Sequence, residues 1–143
     1  MILDDLCDVL SSGGLGTVAS TANWGIYKGG LPTTPDKAVA VIETGGLAPV
    51  HAMAGSPGKM VAERPRVQVV VRSVATAAGG YSTGRQKIND AYRLLDGFGD
   101  RTLNGVHYKW IGAVQAPFPM GEDENARPMF AVNFDVTKAL STA

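Results

Sequence analysis

The sequence predicts an α+β fold in which two helices pack on one face of an antiparallel sheet of about four to five strands. Several segments place apolar residues at every second position, as strands with one buried face do, and "RPRVQVVVRS" (64–73) is the clearest of them. Residues 2–12 and 81–97 instead space their apolar residues as amphipathic helices do. No strand–helix–strand rhythm indicates a parallel sheet. Because 143 residues make about one domain, we expect a single domain spanning residues 1–143.

The two predicted helices have recognisable ends as well as apolar stripes. Asp4 and Asp5 lie in the first turn of the first helix, where the helix dipole favours acids, and Gly13 ends that helix. Gly97 lies just past the second helix. The stripes consist of Ile2, Leu6, Val9 and Leu10 in the first helix and of Tyr81, Ile88, Ala91, Tyr92 and Leu95 in the second.

The other predicted strands are shorter or less regular than residues 64–73. Residues 23–29 and 37–44 are rich in strand-forming residues and lie near glycines and prolines. Residues 105–114 and 128–136 alternate, so each is expected to turn one face to the core. The expected core faces carry Tyr108, Trp110 and Val114 in the first of these two strands and Phe130, Val132, Phe134 and Val136 in the second.

Glycines and prolines recur through residues 45–64, "GGLAPVHAMAGSPGKMVAER", and predict a long projecting loop with no regular element. Loops longer than about 12–15 residues are uncommon in compact domains unless they are functional or disordered. This one is also too apolar for a solvated linker, and its methionines suit a surface that adapts to a partner. We expect it to be mobile in the free protein and to become ordered against a partner surface. The interface hypothesis rests on Leu47, Val50, Met53, Met60 and Val61.

The stretch "FPMGEDENARP" (118–128) holds three consecutive acids, which allow four explanations. A calcium loop needs oxygen ligands at alternating positions, which this spacing lacks. Acid/base catalysis needs carboxylates in different environments, whereas consecutive acids in a strand connection should all be solvated. An exposed turn is therefore favoured over catalysis, and the turn is also a hypothetical docking device. Its candidate interface residues are Glu122, Asp123, Glu124 and Arg127.

Enzymatic sites find little support in the sequence. "AGSPG" (54–58) resembles a nucleophile elbow, but Pro57 has no N–H to donate to an oxyanion. His51 and His107 lack a second ligand at metal-binding spacing, and the lone Cys7 has no disulfide or metal partner. The sequence predicts no enzyme, no metal and no cofactor.

Charge and hydropathy disfavour two further classes of function. Thirteen basic and thirteen acidic residues give no basic excess for phosphates, so nucleic-acid binding is disfavoured. Tyr108, Lys109 and Trp110 are its only weak candidates, and the two aromatics fit a core better. No apolar run is long enough to span a membrane, and the acidic start of the chain is unlike a secretion signal, so an intracellular protein is expected.

An ordered set of motifs between about Val39 and Val136 resembles the minor capsid and tail terminator family of tailed bacteriophages and prophages. In chain order they are "RVQVVVR" (66–72), "LLDG" (94–97), "LNGVHY" (103–108), "PFPMGEDENAR" (117–127) and "FAVNFDV" (130–136).

The resemblance implies a structural, non-enzymatic virion protein at the head-proximal end of a tail, assembled in the host cytoplasm. Such a protein forms a ring, commonly a hexamer, that stops growth of the tail tube and meets the head connector or head-completion protein. DNA passes through the lumen without sequence-specific binding, and no membrane is involved. A related head–tail connector or minor capsid role would use the same fold, and a nucleic-acid-binding module is the more remote alternative.

Overall fold

The computed structural model of the chain describes residues 1–51 and 60–139. Two α-helices and eight strands make up this part of the chain, together with a single 3₁₀ turn at Thr76–Ala78. The elements are α1 (Ile2–Ser12), β1 (Thr17–Val18), β2 (Gly25–Lys28), β3 (Ala38–His51), β4 (Met60–Arg72), α2 (Gly80–Leu95), β5 (Phe98–Leu103), β6 (Val106–Ala113), β7 (Phe118–Glu122) and β8 (Pro128–Ala139).

All eight strands belong to one sheet with the order β1-β2-β3-β4-β8-β6-β5, and β7 also pairs with β8. The pairs β1–β2 and β2–β3 are parallel, and the other pairs are antiparallel. The α+β class is therefore confirmed, but the prediction of about four to five antiparallel strands is wrong. The sheet is larger because the short strands β1, β5 and β7, whose sequences do not alternate, also belong to it, and it is mixed because β2 pairs in parallel with both β1 and β3.

Both helices contribute to one core that covers a single face of the sheet. Val39 and Val71 are cross-strand partners, and Val69 pairs in turn with Val132, so the same face continues from β3 through β4 to β8. Leu6 and Leu10 of α1 pack in this core. The predicted helices and the alternation of β4 and β8 are confirmed. The largest fully buried side chains include Tyr108, Phe130, Phe134, Leu6, Leu10, Ile26, Ile88, Leu95 and Ile111.

The prediction of a loop without regular structure is wrong for residues 45–51 and 60–64, because these residues extend β3 and β4 into a long hairpin. We call residues 43–51 with 60–66 the arm. The glycines that suggested a loop fall at irregularities of the ladder: Gly45 has a φ of 93°, and the register shifts between Glu43 and Gly46. Arg64 Nε also donates to the carbonyl of Ala48 across the hairpin, at 2.7 Å.

The face predicted for residues 105–114 is only partly right. Tyr108 is fully buried, but Trp110 is 53% exposed and Val114 is 46% exposed. The pairing of β6 with β8 shifts register between Tyr108 and Trp110, and such a bulge turns the following side chains to the other face. The neighbouring strand β5 was not predicted at all.

Buried Tyr108 ties the β5–β6 hairpin to α1. Its hydroxyl donates to Asp5 Oδ2, and Asn104 Nδ2 donates to Asp5 Oδ1, so an acid with 2% exposure has two donors. Burial, and then the hydrogen bond to Asp5, raise the pKa of Tyr108 above its ordinary value. The hydroxyl therefore stays protonated and holds the helix against the sheet.

Candidate docking surfaces

The arm carries the first candidate surface. Strand β2 pairs with β3 only from Ala38 to Val41, so beyond Ile42 the outer edge of β3 has no strand partner in the described part of the chain. Leu47 and Val50 are 52% and 41% exposed there. An unpaired edge with exposed apolar residues can accept a further strand.

The other arm residues predicted as interface fall in less informative positions. Met60 and Val61 open β4, so they belong to the hairpin and not to a loop. Met53 lies outside the described residues, as does the whole of 52–59 with its elbow-like "GSP".

The acidic stretch forms the second candidate surface. Residues 123–127 are a turn as predicted, but Phe118–Glu122 form strand β7, which was not predicted. The expectation that all three acids are solvated is wrong for Asp123. Its Oδ1 accepts the N–H groups of Asn125 and Arg127, at 3.0 and 2.9 Å, and its Oδ2 accepts Arg127 Nε at 2.7 Å. Burial alone would raise the pKa of Asp123, but the N–H and guanidinium of Arg127 and the N–H of Asn125 lower it overall. Asp123 therefore closes the turn as a carboxylate.

Arg127 continues this network to a distant segment. Its side chain is 8% exposed, and its Nη1 donates to the carbonyl of Thr33 at 2.7 Å and to Asp36 Oδ1 at 3.1 Å. Arg72 holds the same segment by donating to the carbonyls of Pro35 and Asp36, at 2.6 and 3.1 Å. Burial, followed by the nearby charge of Arg127, lowers the pKa of Arg72. Two buried arginines thus fasten residues 33–36 beside the acidic turn.

Glu122 and Glu124 remain exposed on this turn, and Glu122 Oε1 accepts the hydroxyl of Thr76 at 2.7 Å. The turn adjoins Pro128 at the start of β8, whereas the arm pairs with Ala139 at its end. The predicted interface residues therefore form two surfaces separated by the length of β8. Of these residues, the structure brings together Asp123 and Arg127, which pair with each other.

A third concave surface was missed by sequence reasoning. An open groove of about 810 Å³ lies between the end of α1, the end of α2 and strand β5. Its walls include Val9, Leu94 and Phe98, and Arg93 and Arg101 lie at its rim. No local motif signals such a groove, because three elements far apart in sequence form it.

No catalytic constellation accompanies these surfaces. Across residues 1–51 and 60–139, no group of three or more His, Cys, Asp or Glu side chains could hold a metal ion. Burial raises the pKa of the Cys7 thiol to about 11, so it is no nucleophile near neutral pH. His107 Nε2 faces Asp100 Oδ1 at 3.2 Å on an exposed hairpin. Within the described part of the chain, no helix is long and apolar enough to cross a membrane.

Comparison with known proteins decides the family. The model of the family described as bacteriophage tail terminator protein matches residues 9–140 of the chain. The chain belongs to this family. It is thus a structural protein of bacteriophage particles, in agreement with the resemblance drawn from its motifs.

A solved structure shares the fold of this chain. It is a chain from the "Virion of native gene transfer agent (GTA) particle", with a TM-score of 0.63 and 12% sequence identity. The alignment covers 97% of this chain and 95% of that chain. At this identity, the likeness supports the fold alone. No curated protein sequence matches this chain.

Proposed function

We propose that this protein is the tail terminator subunit that forms a ring, commonly a hexamer in this family, at the head-proximal end of the tail. There it caps the tail tube, stops its growth and presents a surface to the head connector or head-completion protein. The observation that carries the proposal is the family match over residues 9–140. The role is structural and needs no enzymatic step, cofactor or membrane.

The geometry supports a subunit with more than one partner. The arm and the turn at residues 123–127 lie at opposite ends of β8, so one can contact a neighbouring subunit or the tube while the other remains free. In this proposal Leu47, Val50, Met53, Met60 and Val61 serve the first contact, and Glu122 and Glu124 serve the second. Asp123 and Arg127 support the second surface by holding its turn in shape.

The balanced charge of the chain supports the same role. Thirteen basic and thirteen acidic residues leave no net charge to repel identical copies from one another in a ring. DNA then passes through the lumen without sequence-specific contacts. Assembly takes place in the host cytoplasm, where the tail tube is built.

The test is assembly of purified full-length protein with tail tubes. Native mass spectrometry should show a closed oligomer, and electron microscopy should show it at one end of tubes whose elongation it stops. A variant lacking residues 45–64, with a short turn in their place, should keep its fold but lose this activity. Attachment only to heads, with tube growth unaffected, would instead assign a head–tail connector or minor capsid role.

A further inference from the structure

We propose that the outer edge of β3 in one subunit docks on the outer edge of β5 and the adjoining groove of the next subunit. This inference rests on the proposed ring, and it names the two surfaces that close it. The occupant of the groove is thus a second copy of this chain.

The two edges lie on opposite sides of the same sheet. Strand β5 pairs only with β6, and β3 beyond Ile42 pairs only with β4, within the described residues. Each edge therefore presents backbone N–H and C=O groups that a strand of another chain can pair with. Joining unlike edges of identical subunits gives a head-to-tail interface, which closes into a ring when the rotation permits.

The shapes of the two edges complement each other. Leu47 is exposed on the β3 edge, while the groove of about 810 Å³ beside β5 offers apolar walls that include Leu94 and Phe98. An antiparallel alignment that sets Glu43 opposite Arg101 carries Leu47 to the level of Gly97 or Phe98, which line the groove. The apolar residue thus reaches the concave surface in the same alignment that pairs the edges.

The charges of the two edges are also complementary. Glu43 is exposed on the β3 edge, and Arg101 is exposed on the β5 edge with its guanidinium 4.7 Å from the ring centre of Phe98. Neither residue forms an ion pair with any described residue of its own chain. Opposite charges at matching positions fix the register of two docking surfaces and disfavour slipped alignments.

Charge reversal tests the docking with a built-in control. Glu43→Arg or Arg101→Glu should each raise the concentration needed for half-assembly by about five- to tenfold at low salt, because each sets like charges against each other. The double variant Glu43→Arg/Arg101→Glu should recover most of the loss. The control variant Glu43→Arg/Lys109→Glu has the same net charge as this double variant, but its second change falls on an exposed lysine of β6. Its assembly should therefore stay as weak as that of Glu43→Arg alone. Sedimentation velocity measures the assembly of all four variants.

Disulfide trapping provides a second measurement on the full chain. A Leu47→Cys preparation mixed with a Leu94→Cys preparation should yield cross-linked dimers under mild oxidation, while either preparation alone should not. Cys7 can stay, because it is buried. Wild-type rings without recovery in the charge-swapped double variant and without the cross-link would overturn the docking and leave the ring standing. Wild-type protein that stays monomeric even with tail tubes would overturn both.

Discussion

Arg127 and Asp123 show how one pair of side chains shapes a whole surface. The guanidinium of Arg127 is almost fully buried, and it satisfies the carboxylate of Asp123, the carboxylate of Asp36 and the carbonyl of Thr33. A buried charge with so many partners is costly to disturb, because each partner left alone would keep its desolvation cost. The two exposed acids of the turn, Glu122 and Glu124, are therefore displayed on a rigid support.

Substitution of Asp123 tests this support. Asp123→Asn keeps an oxygen for the two N–H donors but loses the charged bond to Arg127, so the free energy of unfolding should fall by about 2 kcal/mol at pH 7. Because the folded pKa of Asp123 is lowered, its stabilisation is complete above the ordinary value of about 4 and is lost as the pH falls through the lowered pKa. Urea melts across pH should show the two proteins converging in acid. If the difference in unfolding free energy between wild type and Asp123→Asn stayed constant down to pH 2, the stabilising role assigned to the Asp123 carboxylate would be wrong.

A core residue gives a second prediction at this scale. Phe134 is fully buried and pairs across the sheet with Val67 on one side and Ala113 on the other. Phe134→Ala should cost about 3–5 kcal/mol in denaturant melts, as large-to-small core changes do. Val114→Ala is the control, since Val114 is 46% exposed, and it should change stability by less than about 0.5 kcal/mol. A loss below about 1 kcal/mol for Phe134→Ala would mean that this position is not core.

At the scale of elements, the sequence predicts best where one face of a strand or helix is buried. Strands β4 and β8 and helices α1 and α2 have regular apolar periods, because the core selects every inward position. In the arm and in β5, which lie at sheet edges, the core does not require an apolar residue at every inward position. Asp100 of β5 also has a φ of 53°. The arm was missed because its glycines interrupt the alternation, although they only shift the register of the hairpin. Strand β5 pairs with the next strand in the chain through Asn104 and Gly105, so a local turn signal was present and was not used.

Among the candidate surfaces, too, the sequence predicts the feature that has a local signal and misses those that distant segments form together. The acidic turn was found from sequence because proline, glycine and charge mark turns locally. The roles of Arg72 and Arg127 were not found, because their partners at residues 33–36 lie far from them in sequence. The groove beside β5 was missed for the same reason.

Hydrogen exchange tests the arm as an element. In the free subunit, amides of residues 44–51 that point to the unpaired edge of β3 should exchange faster than the paired amides of residues 67–71, by about a hundredfold or more, because solvent reaches them directly. In assembled rings, the same edge amides should become protected as a neighbouring strand pairs with them. Equal and strong protection in both states would show that the arm needs no partner.

At the scale of the whole molecule, the protein separates its surfaces along one sheet. The arm and the acidic turn lie at opposite ends of β8, and the free edge of β3 beyond Ile42 lies on the opposite side of the sheet from the free edge of β5. A subunit built in this way can bind identical neighbours through its edges and a different partner through its turn. Its zero net charge leaves local charges, rather than an overall field, to set the orientation of each contact.

The last prediction separates the acidic turn from the fold that carries it. Glu122→Gln/Glu124→Gln removes two exposed charges but leaves Asp123 in place, and the amide introduced at position 122 would keep an oxygen for the hydroxyl of Thr76. The melting temperature of the variant should therefore stay within about 2 °C of wild type. If the turn meets basic side chains of the connector, binding to isolated heads should weaken several-fold in low salt, and the difference should shrink as salt screens the charges. Ring formation serves as the internal control, since the edges that close the ring are unchanged. If the variant bound heads as tightly as wild type at every salt concentration, Glu122 and Glu124 would have no docking role and would be only solvated residues of a turn.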